Sequence, residues 1–164
     1  VTDLAFAIAA ATRDDVPALF QLIVGLAEYE RLVDLVVCTQ GDLEAALFGA
    51  SAACEALMVR VPEAPEPVGF ALFFHNFSTF LGRRGLYLED IFVLPEYRAR
   101  GLGRALLVRL AQIAVERKCG RFEWAVLDWN VDAQGFYRSL GATILPDWRI
   151  ARVTGEALTR LAAL

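Results

Sequence analysis

The segment from Leu86 to Lys118 leaves the chain little freedom. Leu86-Tyr-Leu-Glu-Asp-Ile-Phe-Val-Leu-Pro95 is an apolar run that reads as a strand, and Pro95 ends its pairing. Arg98-Ala-Arg-Gly-Leu-Gly103 follows. From Gly101 to Lys118, Leu102, Leu106, Leu110, Ile113 and Ala114 then recur on one helical face, and Gly120 is placed to terminate that helix. A helix N-terminus carries free N–H groups and the positive end of the dipole, so a strand that turns straight into one makes an anion site. Arg98, Arg100 and Arg104 add charge there, while Gly101 and Gly103 let backbone approach a ligand closely. Such a site suits a pyrophosphate. For an isolated Gly-x-Gly the competing reading is a softened loop with a solvated basic rim. The segment has neither the Lys-Ser or Lys-Thr ending of a P-loop nor the third Gly and downstream acid of a dinucleotide fold.

The remaining pattern is mixed α/β. Thr12 with Asp15 has capping-box spacing, and Leu19, Phe20, Ile23, Leu26 and Ala27 continue as an amphipathic helix to about Glu30. Thr39 with Asp42 repeats the signal for a short second helix. Ala56 to Val61 and Val68 to Phe74 join Leu86 to Val93 as neighbouring strands, and the Pro-rich Pro62 to Pro67 is a loop between the first two. Phe122 to Leu127 returns to strand. Asn130 can cap a helix carrying Phe136, Tyr137 and Leu140 that Gly141 ends, and Trp148 to Val153 reads as a final strand. With no repeat or low-complexity tract, residues 1–164 read as one domain.

Bulk properties exclude several classes. The chain is 57% apolar, yet its longest stretch free of Asp, Glu, Lys and Arg, Pro67 to Gly82, is interrupted by Gly69, His75, Asn76 and Ser78, so no membrane span is expected. Val1 to Ala11 has no basic flank and does not read as a secretory signal, which makes the cytoplasm the expected compartment. Cys38, Cys54 and Cys119 are widely spaced, with only His75 as a soft partner, so neither metal nor disulfide is expected. His75 is taken as structural. A net charge of -4 gives no general attraction for nucleic acid.

Arg98 to Gly103 after Phe92-Val93-Leu94-Pro95 resembles the coenzyme A signature of the GNAT acetyltransferases. Tyr87-Leu88-Glu89-Asp90, Ala125 to Asn130, Phe136-Tyr137 with Gly141-Ala142, Asp147-Trp148-Arg149 and Leu26 to Glu30 resemble the diamine acetyltransferase branch, which includes spermidine/spermine and thialysine N-acetyltransferases. The resemblance implies the GNAT fold: a mostly antiparallel twisted sheet flanked by helices, with two strands splayed around the pantetheine of acetyl-coenzyme A. It further implies direct acetyl transfer in a ternary complex to a small primary amine, and a homodimer.

Residue by residue, the resemblance implies that Ile91, Phe92 and Val93 pair through their backbone with the pantetheine. Arg98, Ala99, Arg100, Gly101, Leu102, Gly103 and Arg104 hold the pyrophosphate, and Asn130, Val131, Asp132 and Ala133 contact the cofactor from the neighbouring strand. Ala99 replaces a Gly common in the family, which backbone binding tolerates if its φ stays negative. Glu89 is implied as the base, directly or through water, because the amine must lose a proton from an ammonium of pKa about 10.4. Asp90, next to it, points to the opposite face of a regular strand and forms no dyad with it. Tyr137 is implied as proton donor to the leaving thiolate, also touching the cofactor, and the Ile91 N–H as oxyanion donor. A surface carboxylate and a core tyrosine are the plain alternatives for Glu89 and Tyr137.

For the acceptor, Tyr29 and Glu30 match a substrate-facing pair, and an exposed helix end explains them equally well. Phe80 can line the amine pocket. Phe77-Ser78-Thr79-Phe80 replaces an acidic loop of the polyamine enzymes and favours a lysine-like amino acid or short diamine. The rival readings are an acceptor that is a protein lysine, an N-terminus or an antibiotic, and a catalytically silent acetyl-coenzyme A sensor.

Overall fold

The structure is a computed structural model that describes residues 5–164; the first positions of the Val1 to Ala11 stretch lie outside the described residues. By contact the chain divides into two compact units, Val1–Ala125 and Val126–Leu164.

The first unit is built on one five-stranded sheet in the order β1 (Ala7–Ala10), β2 (Glu55–Arg60), β3 (Gly69–Ser78), β4 (Arg83–Val93) and β5 (Phe122–Trp124). All neighbours are antiparallel except β4 and β5, which run parallel. The expected mixed α/β fold with a mostly antiparallel sheet is what forms; β1 had no counterpart in the sequence reading. Helix α1 (Val16–Glu30) starts where expected, although Arg13–Asp15 is first a turn of 3₁₀-helix. Asp15 Oδ2 accepts from Thr12 N–H at 2.8 Å, closing the predicted box. Helix α2 (Gln40–Phe48) is capped by Thr39, whose Oγ1 accepts from Asp42 N–H at 3.2 Å.

Strand pairing assigns the faces, because cross-strand partners share one. Met58 opposes Phe70, and Phe70 opposes Phe92; these side chains pack with Leu19 and Leu22 of α1 and Leu47 of α2. The other face carries Phe73, Leu86 and Leu88, all buried, as are Leu106 and Leu110 of α3 (Leu102–Glu116), the helix that packs on β3 and β4. The left-handed residue that closes α3 is Lys118, at φ 56, and not Gly120. Gly120 instead passes close to the β3–β4 turn: a Cβ there would lie 2.9 Å from Leu81 Cδ1 and 3.3 Å from Arg83 Cβ, so the turn's side chains would have to shift.

The second unit holds α4 (Val131–Ser139) and α5 (Gly155–Ala162). Asn130 Oδ1 accepts from Ala133 N–H at 3.2 Å, the expected cap, and Gly141 at φ 92 follows the helix. The strand expected over Trp148 to Val153 does not form. Trp and Ile favour a pleated surface only when a neighbouring strand supplies the ladder. Here no ladder reaches the segment, and Arg149 instead donates to the Pro146 carbonyl at 2.7 Å. Likewise β5 stops at Trp124, short of the expected Leu127. Among the described residues no helix is long and apolar enough to cross a membrane.

Candidate active site

Two features of β4 shape the site. Its pairing with β5 covers only Leu86 to Leu88, so Glu89 to Val93 run on with no described strand along that edge. Backbone groups of Ile91, Phe92 and Val93 on that side are thereby left for an extended ligand, while the opposite edge stays paired to Ala71, Phe70 and Gly69. The second feature is a bulge. Leu72 opposes Asp90 and Phe73 opposes Leu88, which leaves Glu89 without a partner on β3.

The bulge corrects the reading of Glu89 and Asp90. An extra residue breaks the alternation of a regular strand, so Asp90 comes to the face of Leu72 and Phe92, the face that α1 covers. Asp90 is half-buried there, and its carboxyl is pushed up to about 6 by desolvation, then by the charges of Glu89 and Glu30. Burial also raises Glu30, at the end of α1. Asp90 thus lies half-buried in the field of two other carboxylates, Glu89 and Glu30, at the junction of α1 and β4. Asp90 is the functional candidate that sequence reasoning set aside; only the pairing with β3 exposes it, since the bulge leaves no mark in the residues of β4 itself.

Beyond Val93 the chain turns through Pro95–Tyr97 and enters α3 at Gly101, φ 81. The first intrahelical bond runs from Ala105 N–H to Gly101 C=O at 2.9 Å, so the N–H groups of Leu102, Gly103 and Arg104 precede it. Ala99 has φ 59, in the left-handed region and not at the negative value expected. A residue there turns its N–H toward the same side as its neighbours', which is how backbone nests for anions form.

The fit of a phosphate-bearing cofactor rests on Gly103. Its φ is not left-handed, and a Cβ built on it meets no protein atom within 4 Å, so nothing inside the protein requires a glycine. A ligand lying against the first turn of α3 does require one. The arginines divide the work unevenly. Arg98 donates from Nε to the Val93 carbonyl at 2.9 Å and lies over the rings of Tyr29 and Phe92, at 4.6 and 5.4 Å from their centroids. Arg100 is paired with Glu63 and stacked on Tyr97 at 5.0 Å. Arg104 is exposed on the first turn of α3.

Tyr29 is therefore partnered with Arg98, and Glu30 with the carboxylate group. Phe80 lies in the β3–β4 turn, 99% exposed, with its ring in solvent. In the second unit, Val131 and Asp132 are exposed on the first turn of α4 with Ala133 behind them, and Tyr137 is buried one turn further on, its ring 5.6 Å from that of Phe136.

A parallel pair that ends well short of the long strand's C-terminal end, with that strand leading into a glycine turn at a helix N-terminus, is the architecture of an acyl-coenzyme A N-acyltransferase. Residues 26–142 match the Acetyltransferase (GNAT) family, and the chain belongs to it as an acetyl-coenzyme A-dependent N-acetyltransferase. It is 37% identical over 161 residues to the thialysine N-epsilon-acetyltransferase of Bos taurus, covering 93% of this chain and 94% of that protein. It is 34% identical over 191 residues to an L-ornithine N5-acetyltransferase of Arabidopsis thaliana, covering 90% of this chain and 84% of that one. An integron cassette protein of V. cholerae shares the fold at a TM-score of 0.80 and 24% identity, over 97% of this chain and 98% of its own.

Proposed function

We propose that the chain, acting as one domain over residues 1–164, transfers the acetyl group of acetyl-coenzyme A directly to the primary amine of a small cationic molecule. A lysine-like or ornithine-like amino acid or a short diamine is the acceptor class. The observation that carries this reading is the half-buried Asp90, raised by burial and by the charges of Glu89 beside it on β4 and Glu30 at the end of α1, on the strand that leads into the glycine turn. A half-buried carboxyl raised by burial and by neighbouring negative charge gains most from an arriving cation, which supplies the charge it lacks. The names of the bovine and Arabidopsis relatives, which act on amino acids with a side-chain amine, support the same class.

In this reading acetyl-coenzyme A supplies the activated thioester. The edge of Ile91, Phe92 and Val93 pairs with the pantetheine, and Ala99 to Arg104 with the turn's N–H groups receive the pyrophosphate. Asn130 to Ala133 meets the cofactor from α4. The ammonium proton passes to the adjacent carboxylates Glu89, exposed to the acceptor, and Asp90, half-buried with its carboxyl raised. The Ile91 N–H meets the negative charge that develops on the thioester oxygen, and the Tyr137 hydroxyl gives its proton to the departing sulfur. Tyr29 borders the acceptor path, and two copies assemble as a homodimer.

The test is coenzyme A release from acetyl-coenzyme A with thialysine, lysine, ornithine, putrescine, spermidine, an aminoglycoside and a lysine peptide. Highest kcat/KM for an amino acid or short diamine is expected; preference for the peptide or aminoglycoside would overturn the acceptor class.

A further inference from the structure

The β3–β4 hairpin reaches further than the helix that covers it. His75, Phe77 and Arg84 lie on the same face as Phe73 and Leu86, by alternation and register. Phe73 and Leu86 are buried, but α3 ends at Glu116 and leaves Phe77 61% exposed. The uncovered face and the exit of α3 border an open cleft of about 530 Å³ lined by His75, Phe77, Arg83, Arg84, Arg117 and Lys118.

Four cations at one cleft in a chain of net charge -4 need a reason, since like charges held together destabilise the fold. Arg117 has one: Glu55 takes both its terminal nitrogens, with Nη2 to Oε2 at 2.8 Å. Among the described residues of this unit no carboxylate lies within ion-pair distance of Arg83, Arg84 or Lys118. The C-terminal dipole of α3 favours Arg117 and Lys118 but not the two arginines of the hairpin. Lys118 also holds the left-handed position, φ 56, where a helix exit ordinarily has Gly or Asn. Inside the cleft, His75 Nε2 is buried with no hydrogen-bond partner, a donor or acceptor left open. Burial and then the charges of Arg117 and Arg84 hold the imidazole below its usual range, against the weaker pull of Glu55.

We propose that this cleft is a second anion site, remote from the Arg98 to Arg104 turn, that takes a ligand with two or more adjacent phosphates. Arg84, Arg83 and Lys118 receive the phosphates, and the exposed Phe77 ring offers a stacking face if a base is attached.

Calorimetric titration of the full chain with inorganic tripolyphosphate, and separately with ATP, tests this. Arg84→Ser and Lys118→Gly are each expected to weaken tripolyphosphate about tenfold, the scale of a lost charged hydrogen bond, whereas the double variant Arg100→Ser, Arg104→Ser retains this binding. Lys118→Gly relieves a left-handed residue, so its melting temperature should hold or rise, which separates a lost site from a lost fold. Tighter binding of ATP than of tripolyphosphate, cancelled by Phe77→Ser, assigns the phosphates to a nucleotide; equal binding of the two assigns them to a bare oligophosphate. No binding, or binding lost in the Arg100, Arg104 variant and kept in Arg84→Ser, would overturn the proposal.

Discussion

The guanidinium of Arg98 lies 4.6 Å from the centroid of the Tyr29 ring and donates to the Val93 carbonyl, so one side chain ties the end of α1 to the end of β4. Arg98 thus braces the place where the acidic residues Glu30 and Asp90 meet, at the junction of α1 and β4, in addition to lending charge to the turn. A cation held over a partly exposed ring contributes about 0.5–1 kcal/mol. A double-mutant cycle of Tyr29→Leu and Arg98→Met in urea unfolding should return a coupling of that size. Zero coupling would mean that the two side chains only lie beside one another.

Gly103 gives a sharper separation of fold from function. Because a Cβ there meets no protein atom within 4 Å, Gly103→Ala should leave stability unchanged or raise it by up to about 1 kcal/mol through helix propensity. The same methyl group occupies the space proposed for the pyrophosphate, so acetyl-coenzyme A affinity should fall at least about tenfold, or about 1.4 kcal/mol. Stability and affinity moving together would remove the argument for a ligand at that turn.

Ala99 supports a milder expectation of the opposite kind. At φ 59 it carries the cost of a left-handed alanine, roughly 1–2 kcal/mol, partly offset by the lower chain entropy of Ala over Gly when unfolded. Ala99→Gly should stabilise the protein by about 0.5–1 kcal/mol in denaturant unfolding, and a destabilised variant would argue against the left-handed turn.

What could be read from the residues alone was local. The capping boxes at Thr12 and Thr39, the apolar run of β4 and the face of α3 are each written in a few consecutive positions, and each forms. The failures share a cause in pairing. The bulge at Glu89 is set by the register against Leu72 and Phe73, so the regular alternation assumed for Glu89 and Asp90 had no means of revealing it. Trp148 to Val153 has strand composition but lacks a ladder. Gly120 draws attention as a helix stop, although the chain turns at Lys118 and Gly120 lies against the Leu81 and Arg83 side chains of the β3–β4 turn. Local signals locate elements; they do not report which neighbour an element meets.

Tyr137 is buried on α4, a placement compatible with the proposed proton donor and equally with a core tyrosine. Tyr137→Phe distinguishes the two. Loss of a proton donor should lower kcat by about 10²-fold or more, with acetyl-coenzyme A affinity and melting temperature close to the parent. A fall in melting temperature with kcat unchanged would return Tyr137 to a packing role.

Asp90 joins stability to activity through its raised carboxyl. The folded protein holds the Asp90 proton up to about pH 6, against an ordinary value of 3.8, because of burial and then the charges of Glu89 and Glu30. A carboxyl raised in the folded state adds stability at low pH that is lost as the pH climbs from the unfolded to the folded value, so ionised Asp90 costs at most about 3 kcal/mol at neutral pH. Asp90→Asn has no such loss. Relative to the parent it should be more stable above pH 6, by up to about 3 kcal/mol, with the difference fading to nothing below about pH 4. Activity should move the other way: the parent's kcat/KM rises through about pH 6 as Asp90 ionises, and the variant should lose both that limb and most of its turnover. A variant that is more stable at pH 7 yet keeps the parent's pH profile would leave the proton with Glu89 alone; one that gains no stability would show that Asp90 is not strained by its neighbours.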